Sequence, residues 1–118
     1  VEAGPADTVY TDIYVLNWPA HAAVRVIANS VTRALGFNLT GHDPDRLPRE
    51  VIADEGGRPI LRYSTDSPLR ITTGDLEAMS LFAGQGVGAI RDIPTAAGRL
   101  DQIITEAGAV LDRLEGRA

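Results

Sequence analysis

The chain has 118 residues, of which 44% are apolar, and its formal net charge is −5. This length and composition fit at most one ordinary domain and indicate a globular rather than a disordered chain. All 11 basic residues are arginines, and they are spread along the chain among 16 acidic residues. Because nucleic-acid binding depends on clustered basic side chains, we expect no nucleic-acid partner.

Two residue types are missing, and each absence excludes a class of chemistry. The chain contains no Lys, which excludes a Schiff-base catalyst and a P-loop lysine. It contains no Cys, which excludes a thiol nucleophile, a disulfide framework and a cysteine-ligated metal. Apolar runs are too short to span a membrane, and no basic-then-apolar leader occurs near Val1. We expect a cytoplasmic protein, and, because Val1 is not Met, either a removed start or a piece of a longer chain.

The first half of the chain predicts a strand, a helix and a hairpin. Residues 8–16 are rich in β-branched and aromatic side chains and predict a strand that ends before Pro19. Apolar residues at helical spacing predict a helix within residues 20–35, stopped by Gly36. Residues 38–50 predict a surface loop with one short helical turn. Two β-prone runs around Gly56-Gly57, residues 51–53 and 59–63, predict a hairpin.

The second half predicts two further helices, so the expected fold is α+β with a strand, a hairpin and three helices. Asp75 is a good cap for a short helix that ends at the glycines of residues 84–88. A long last helix begins near Pro94 and ends at Gly116. Its apolar stripe is formed by Ile93, Ala96, Ala97, Leu100, Ile103, Ile104, Ala107, Val110, Leu111 and Leu114. The predicted elements are too few to cover this stripe, so we expect self-association or docking on a missing part of the same protein.

Residues 83–88, AGQGVG, are the most chemically suggestive segment. Closely spaced glycines let a backbone approach a ligand, and free N–H groups there can hold an anion. The segment is not a dinucleotide fingerprint, because it follows a predicted helix rather than a strand. A ligand contact and a packing turn both remain open from the spacing alone.

Together with its neighbours, this segment resembles a known family. Residues 74–88, GDLEAMSLFAGQGVG, followed by a long last helix, resemble the C-terminal part of bacterial nitronate monooxygenases, formerly called 2-nitropropane dioxygenases. Residues 10–14 (YTDIY) and residues 25–29 (RVIAN) are similar to two upstream family motifs, and the proline-bearing residues 62–68 also fit. The resemblance covers almost the whole chain. Phe82 stands where the family commonly has Tyr.

The resemblance implies a flavin enzyme built on a (β/α)8 TIM barrel that binds FMN, with a small inserted domain over the active site. Residues 1–79 would be that cap, and residues 80–118 would return to the barrel with the glycine-rich loop and the closing helix. Gly84, Gln85 and Gly86 are then the candidate cofactor-binding residues, with Gln85 also able to cap the preceding helix instead.

No catalytic residue is carried over, because the family's catalytic histidine lies in the N-terminal barrel portion that this chain lacks. His21 is expected at a helix start and His42 in a surface turn. The carboxylate pairs Asp43/Asp45 and Asp54/Glu55 are expected in solvated turns, without calcium-loop spacing. We expect no metal site.

The expected function is therefore that of a C-terminal piece of an FMN-dependent monooxygenase that oxidises alkyl nitronates with dioxygen. The piece itself lacks the catalytic part, and its partner would be the missing N-terminal barrel portion. Two alternatives remain. One is a flavin-dependent enoyl-acyl carrier protein reductase-like enzyme, which a nicotinamide requirement would separate. The other is a non-catalytic truncated module that forms a homo-oligomer.

Overall fold

Two small antiparallel sheets and one long C-terminal helix make up the computed structural model, which describes residues 3–116. The α+β class is therefore confirmed, and the strands of the described residues form no closed barrel. The strands and α-helices are β1 (Thr8–Thr11), β2 (Val24–Ile27), α1 (Ser30–Leu35), β3 (Val51–Glu55), β4 (Arg58–Leu61), β5 (Thr72–Gly74) and α2 (Ala96–Leu114). Short 3-10 turns occupy Pro5–Asp7, Pro44–Arg46, Leu76–Ala78 and Gln85–Ala89.

The first sheet pairs β1 with β2, from Thr8 opposite Ile27 to Thr11 opposite Val24. The predicted strand over residues 8–16 is shorter than expected. It ends at Thr11 because the next amide, that of Asp12, donates to the Leu39 carbonyl at 3.1 Å instead of continuing the ladder. Residues 13–15 after it are buried in the core rather than paired.

The helix predicted within residues 20–35 forms only in the later half of that range, and Val24 and Ile27, which were expected on its apolar face, belong to β2. Residues 81–83 lie along the far edge of β2, where Val26 bridges Phe82 and the Ile27 amide donates to the Leu81 carbonyl at 2.8 Å. The helix starts only at Ser30, since the Asn29 side chain accepts from the Thr32 amide as its N-cap. It ends at Gly36, as predicted.

The second sheet has the order β4-β3-β5. Its β3–β4 hairpin is confirmed, with Gly56 and Gly57 in the left-handed region at φ 62° and 94°. Strand β5 was not predicted from the sequence. Gly74 ends it at φ 116°, and a Cβ there would lie 2.6 Å from the Ile52 carbonyl oxygen, so the close approach of β5 to β3 requires glycine.

The predicted helix after Asp75 is wrong, because only the 3-10 turn Leu76–Ala78 forms, capped by the Asp75 carboxylate. The chain therefore has two α-helices among the described residues rather than three helices. After that turn Met79 and Ser80 are buried, and the chain runs on to β2. Two hydrophobic clusters form the core, one around Ile13, Tyr14, Val26, Val31 and Ala78, the other around Ala53, Ile60 and Met79.

Helix α2 is the long closing helix that the sequence predicts. Thr95 is its N-cap and accepts from the Gly98 amide at 3.1 Å. None of its residues is buried, and every member of the apolar stripe is exposed. The molecule is 61 Å long with a radius of gyration of 18.7 Å. A compact domain of this size has a radius of about 13–14 Å. Strands, turns and α1 thus form one globular unit that does not cover α2.

Candidate functional site

The predicted cofactor-binding residues lie together on one short turn. Gln85–Ala89 form a 3-10 helix, here called the glycine turn, with Gly84 as its N-cap. Gly84, Gln85 and Gly86 are all exposed. The amides of Gln85 and Gly86 open the turn, so they have no acceptor within it. The turn can therefore offer N–H groups and the Gln85 side-chain amide to an anion or a polar ring.

The glycines of this turn differ in what surrounds them. A Cβ added at Gly86 would meet nothing within 4 Å, and one at Gly84 would come no closer than 4.0 Å to its nearest neighbour. At Gly88, by contrast, a Cβ would lie 2.7 Å from Cδ of Pro5. Gly88 is therefore a packing residue that allows the glycine turn to lie against the Pro5–Asp7 turn.

The described residues do not by themselves make a flavin site. Gly84 and Gly86 face open space instead of a cradle that a ligand would share, and Gln85 is exposed with no side-chain hydrogen bond that fixes it. No group of three or more His, Cys, Asp or Glu residues within residues 3–116 could hold a metal ion. A complete cofactor site would thus require groups beyond these residues.

The expectation that His42 is a surface residue is wrong. Its side chain is only 15% exposed, and Nδ1 lies 2.6 Å from Oδ1 of Asp12, whose side chain is 4% exposed. The Asp12 carboxylate also accepts from the amides of Gly41 at 2.7 Å and His42 at 3.2 Å. Burial opposes ionisation of Asp12, but the hydrogen bonds from His42 and Gly41 outweigh it and hold the pKa of this carboxyl below its usual value.

A histidine backed by a buried carboxylate can in general act as a base, because the carboxylate fixes its tautomer and stabilises its charged form. Here no hydroxyl of the described residues forms a hydrogen bond to the other ring nitrogen of His42. The pair holds the loop after α1 against the end of β1.

His21 is exposed, as expected, but it lies in a turn before β2 at φ 64° and not at a helix start.

Asn29 is the centre of a buried network that sequence reasoning missed. Its side-chain NH2 group donates to the carbonyls of Glu77 at 2.8 Å and Met79 at 2.9 Å, and the Tyr14 hydroxyl donates to its Oδ1 at 3.2 Å. Burial, the main cause, raises the pKa of the Tyr14 hydroxyl. The only sequence signal for Asn29 is that a polar residue precedes an apolar run. That signal does not identify Glu77, 48 residues away, as its partner.

This network brings together the segments that carry the family resemblance. Tyr14 belongs to residues 10–14, Asn29 to residues 25–29, and Glu77 and Met79 to residues 74–88. In this chain these motif residues hold three distant segments in one core. Their observed role is architectural.

The carboxylates expected in solvated turns fall into two groups. Asp43 and Asp45 are exposed at the Pro44–Arg46 turn, as expected, whereas Asp54 is exposed but lies with Glu55 in strand β3 rather than in a turn. Glu55 is partly buried and accepts from Arg58 at 2.7 Å, and the same guanidinium donates to Asp66 at 2.9 Å. Burial opposes ionisation of Asp66, but the bonds from Arg58 and Ser64 lower its pKa overall. This cluster clamps the hairpin to the segment that precedes β5.

Comparison with protein-family models, with curated proteins and with solved structures found no match to this chain. Within residues 3–116, no helix has both the length and the apolar character needed to cross a bilayer.

Proposed function

We propose that this chain is the C-terminal piece of an FMN-dependent oxidoreductase similar to nitronate monooxygenases. The whole enzyme oxidises alkyl nitronates with dioxygen. Residues 1–79 form its cap. Residues 80–118 first pass along β2 and through the glycine turn and then return the chain to a (β/α)8 barrel that this piece lacks. The sequence motifs at residues 10–14, 25–29 and 74–88 support the proposal.

The main support for the proposal is that the chain enters and leaves the globular unit at neighbouring points. The Pro5–Asp7 turn, near the start of the described residues, packs against the glycine turn, from which the chain leaves toward α2. The close approach of Gly88 to Pro5 fixes this contact, here called the seam. A domain inserted into a larger one must have its two crossings side by side, and the seam supplies that arrangement.

The exposed stripe of α2 supports the same proposal. The exposed fraction of its large aliphatic side chains runs from 44% at Val110 to 100% at Ile93. Burial stabilises apolar surface by about 25 cal/mol per Å², so covering a stripe of this length contributes several kcal/mol. In the proposed enzyme, the barrel covers this apolar stripe.

In the proposed enzyme, FMN supplies the electron transfer between the nitronate and dioxygen. This chain contributes no catalytic side chain. Its cap excludes water from the covered site, and Gln85 together with the first amides of the glycine turn forms one polar edge of the flavin pocket. The rest of that pocket comes from the barrel.

The test is to join this chain to the barrel portion of a nitronate monooxygenase from which the matching region has been removed. We expect the joined protein to copurify with FMN, to absorb as a flavoprotein and to oxidise an alkyl nitronate. The barrel portion alone and the 118-residue chain alone should show none of these three properties. A joined protein that folds by circular dichroism but retains no flavin contradicts the proposal. Nicotinamide-dependent reduction without nitronate oxidation favours the enoyl-acyl carrier protein reductase alternative.

A second candidate is a non-catalytic module that self-associates, and the exposed stripe favours it as well. It predicts a chain that melts cooperatively, forms an oligomer in sedimentation and is unaffected by FMN. The change Ile104→Glu should dissociate that oligomer. A monomer that aggregates on its own and is stabilised by the barrel portion overturns this candidate. The same helix face serves both candidates, so the two cannot hold at once.

A further inference from the structure

A cleft of about 310 Å³ lies beside the seam, outside the predicted cofactor residues. Its apolar wall is formed by side chains from three segments: Ala3 from the start of the described chain, Ile27 from β2, and Val87, Ile90 and Ile93 from the glycine turn and the segment after it. Of residues 3–116, two charged ones line it, Arg91 and Asp92. This volume is at the lower end of the range for small-molecule sites, so a bound molecule must be small.

The charge of this cleft is set by Arg91. The negative charge of Asp92 is already paired, because its carboxylate accepts a hydrogen bond from Arg99 at 2.8 Å. Arg91 has no side-chain hydrogen bond or ion pair within residues 3–116. Among the described residues, therefore, the Arg91 guanidinium has no counter-ion, whereas the neighbouring Asp92 carboxylate is paired with Arg99.

We propose that this cleft binds a small aliphatic monocarboxylate, with its chain against Ile27, Val87 and Ile90 and its carboxylate on Arg91. A guanidinium presents paired N–H donors that match a carboxylate, and the apolar wall removes the chain from water. A dicarboxylate is disfavoured because its second charge would lie on apolar side chains. A cation is disfavoured because Arg91 would repel it. The proposal goes beyond the proposed function and does not rest on it.

Octanoate is the probe, and the isoleucine methyl groups of the 118-residue chain report its binding by nuclear magnetic resonance. We expect saturable shifts at Ile27, Ile90 and Ile93 and none at Ile60, which is buried in the second sheet. Acetate has the charge without the chain, and 1-octanol has the chain without the charge. Both should bind more weakly than octanoate.

Arg91→Gln should weaken octanoate binding by at least about fivefold, since it removes a charge-assisted pair. Arg91→Lys should restore part of the affinity, and 1-octanol binding should not change in either variant. Arg70→Gln is the matched control, because Arg70 is also exposed and lies outside the cleft. The proposal is overturned if octanoate shifts do not saturate, if Ile60 shifts equally, or if Arg91→Gln and Arg70→Gln bind octanoate alike. The barrel experiment does not depend on any of these results.

Discussion

Nδ1 of His42 lies 2.6 Å from Oδ1 of Asp12, across 30 residues of chain. The same carboxylate accepts from two amides of the loop, at Gly41 and His42. Thr11 adds a bond from its hydroxyl to the Leu39 carbonyl at 2.6 Å. The end of β1 thus holds the loop after α1 against the core, mainly through one buried carboxylate.

Asp12→Asn should destabilise the fold by about 2–3 kcal/mol, because the buried amide cannot accept all the bonds that the carboxylate accepts and leaves N–H donors of Gly41 or His42 unsatisfied. Urea unfolding followed by circular dichroism measures the change. Asp45→Asn is the control, since Asp45 is exposed and its carboxylate has no side-chain hydrogen bond. A loss below about 0.5 kcal/mol for Asp12→Asn, equal to that of the control, contradicts the role assigned to Asp12.

We expect the free energy of unfolding to decrease at acid pH as the Asp12 carboxylate becomes protonated. The folded pKa of Asp12 is lowered from 3.8, so its ionised form contributes stability that is present above pH 3.8 and is lost as the pH falls through the folded pKa. Asp66 acts in the same direction. The free energy of unfolding of the unchanged chain should therefore decrease below about pH 4. Asp12→Asn should show a shallower decrease between pH 5 and pH 3, and equal slopes for the two proteins would rule out this linkage.

Removing the Asn29 side chain should cost about 2–4 kcal/mol, because Asn29→Ala deletes an N-cap and several buried hydrogen bonds at once. Tyr14→Phe removes one partner of the network and should cost about 0.5–1.5 kcal/mol. Denaturant unfolding of the two single variants and the double variant gives the coupling. We expect the double variant to lose less than the sum of the two, since both changes break the same bond. Strict additivity would show that Tyr14 and Asn29 do not interact.

The seam can be tested by a pair of glycines on the same turn. Gly88→Ala should destabilise by about 1–2 kcal/mol, since its Cβ would lie 2.7 Å from the rigid ring of Pro5. Gly86→Ala places its Cβ in open space and should change the free energy of unfolding by less than about 0.5 kcal/mol. Thermal melts of both variants decide the comparison. Equal effects at the two positions would mean that the two turns do not pack as described.

The sequence by itself determined the elements whose signal is local. The stripe of α2 repeats over many turns of helix, and Gly56-Gly57 provide the left-handed residues that a tight hairpin needs. The start of α2 near Pro94 and the stop of α1 at Gly36 are set by neighbouring residues alone. These features depend on backbone preferences and periodicity within a few residues, so they could be predicted.

Only the tertiary structure decided the elements whose partners are distant. Val24 and Ile27 have helical spacing with Val31 and Leu35, yet β2 is a strand because β1 and residues 81–83 satisfy its amides and carbonyls on both sides. The His42 side chain is largely covered because it lies against Asp12 at the end of β1. Asn29 is the centre of a hydrogen-bond network because residues 77–79 pass beside it. Where a segment has only a weak local preference for helix or strand, long-range hydrogen bonds and burial determine its conformation. The composition excluded whole classes of chemistry, whereas the cleft at Arg91 exists only because the seam brings three segments of the chain together.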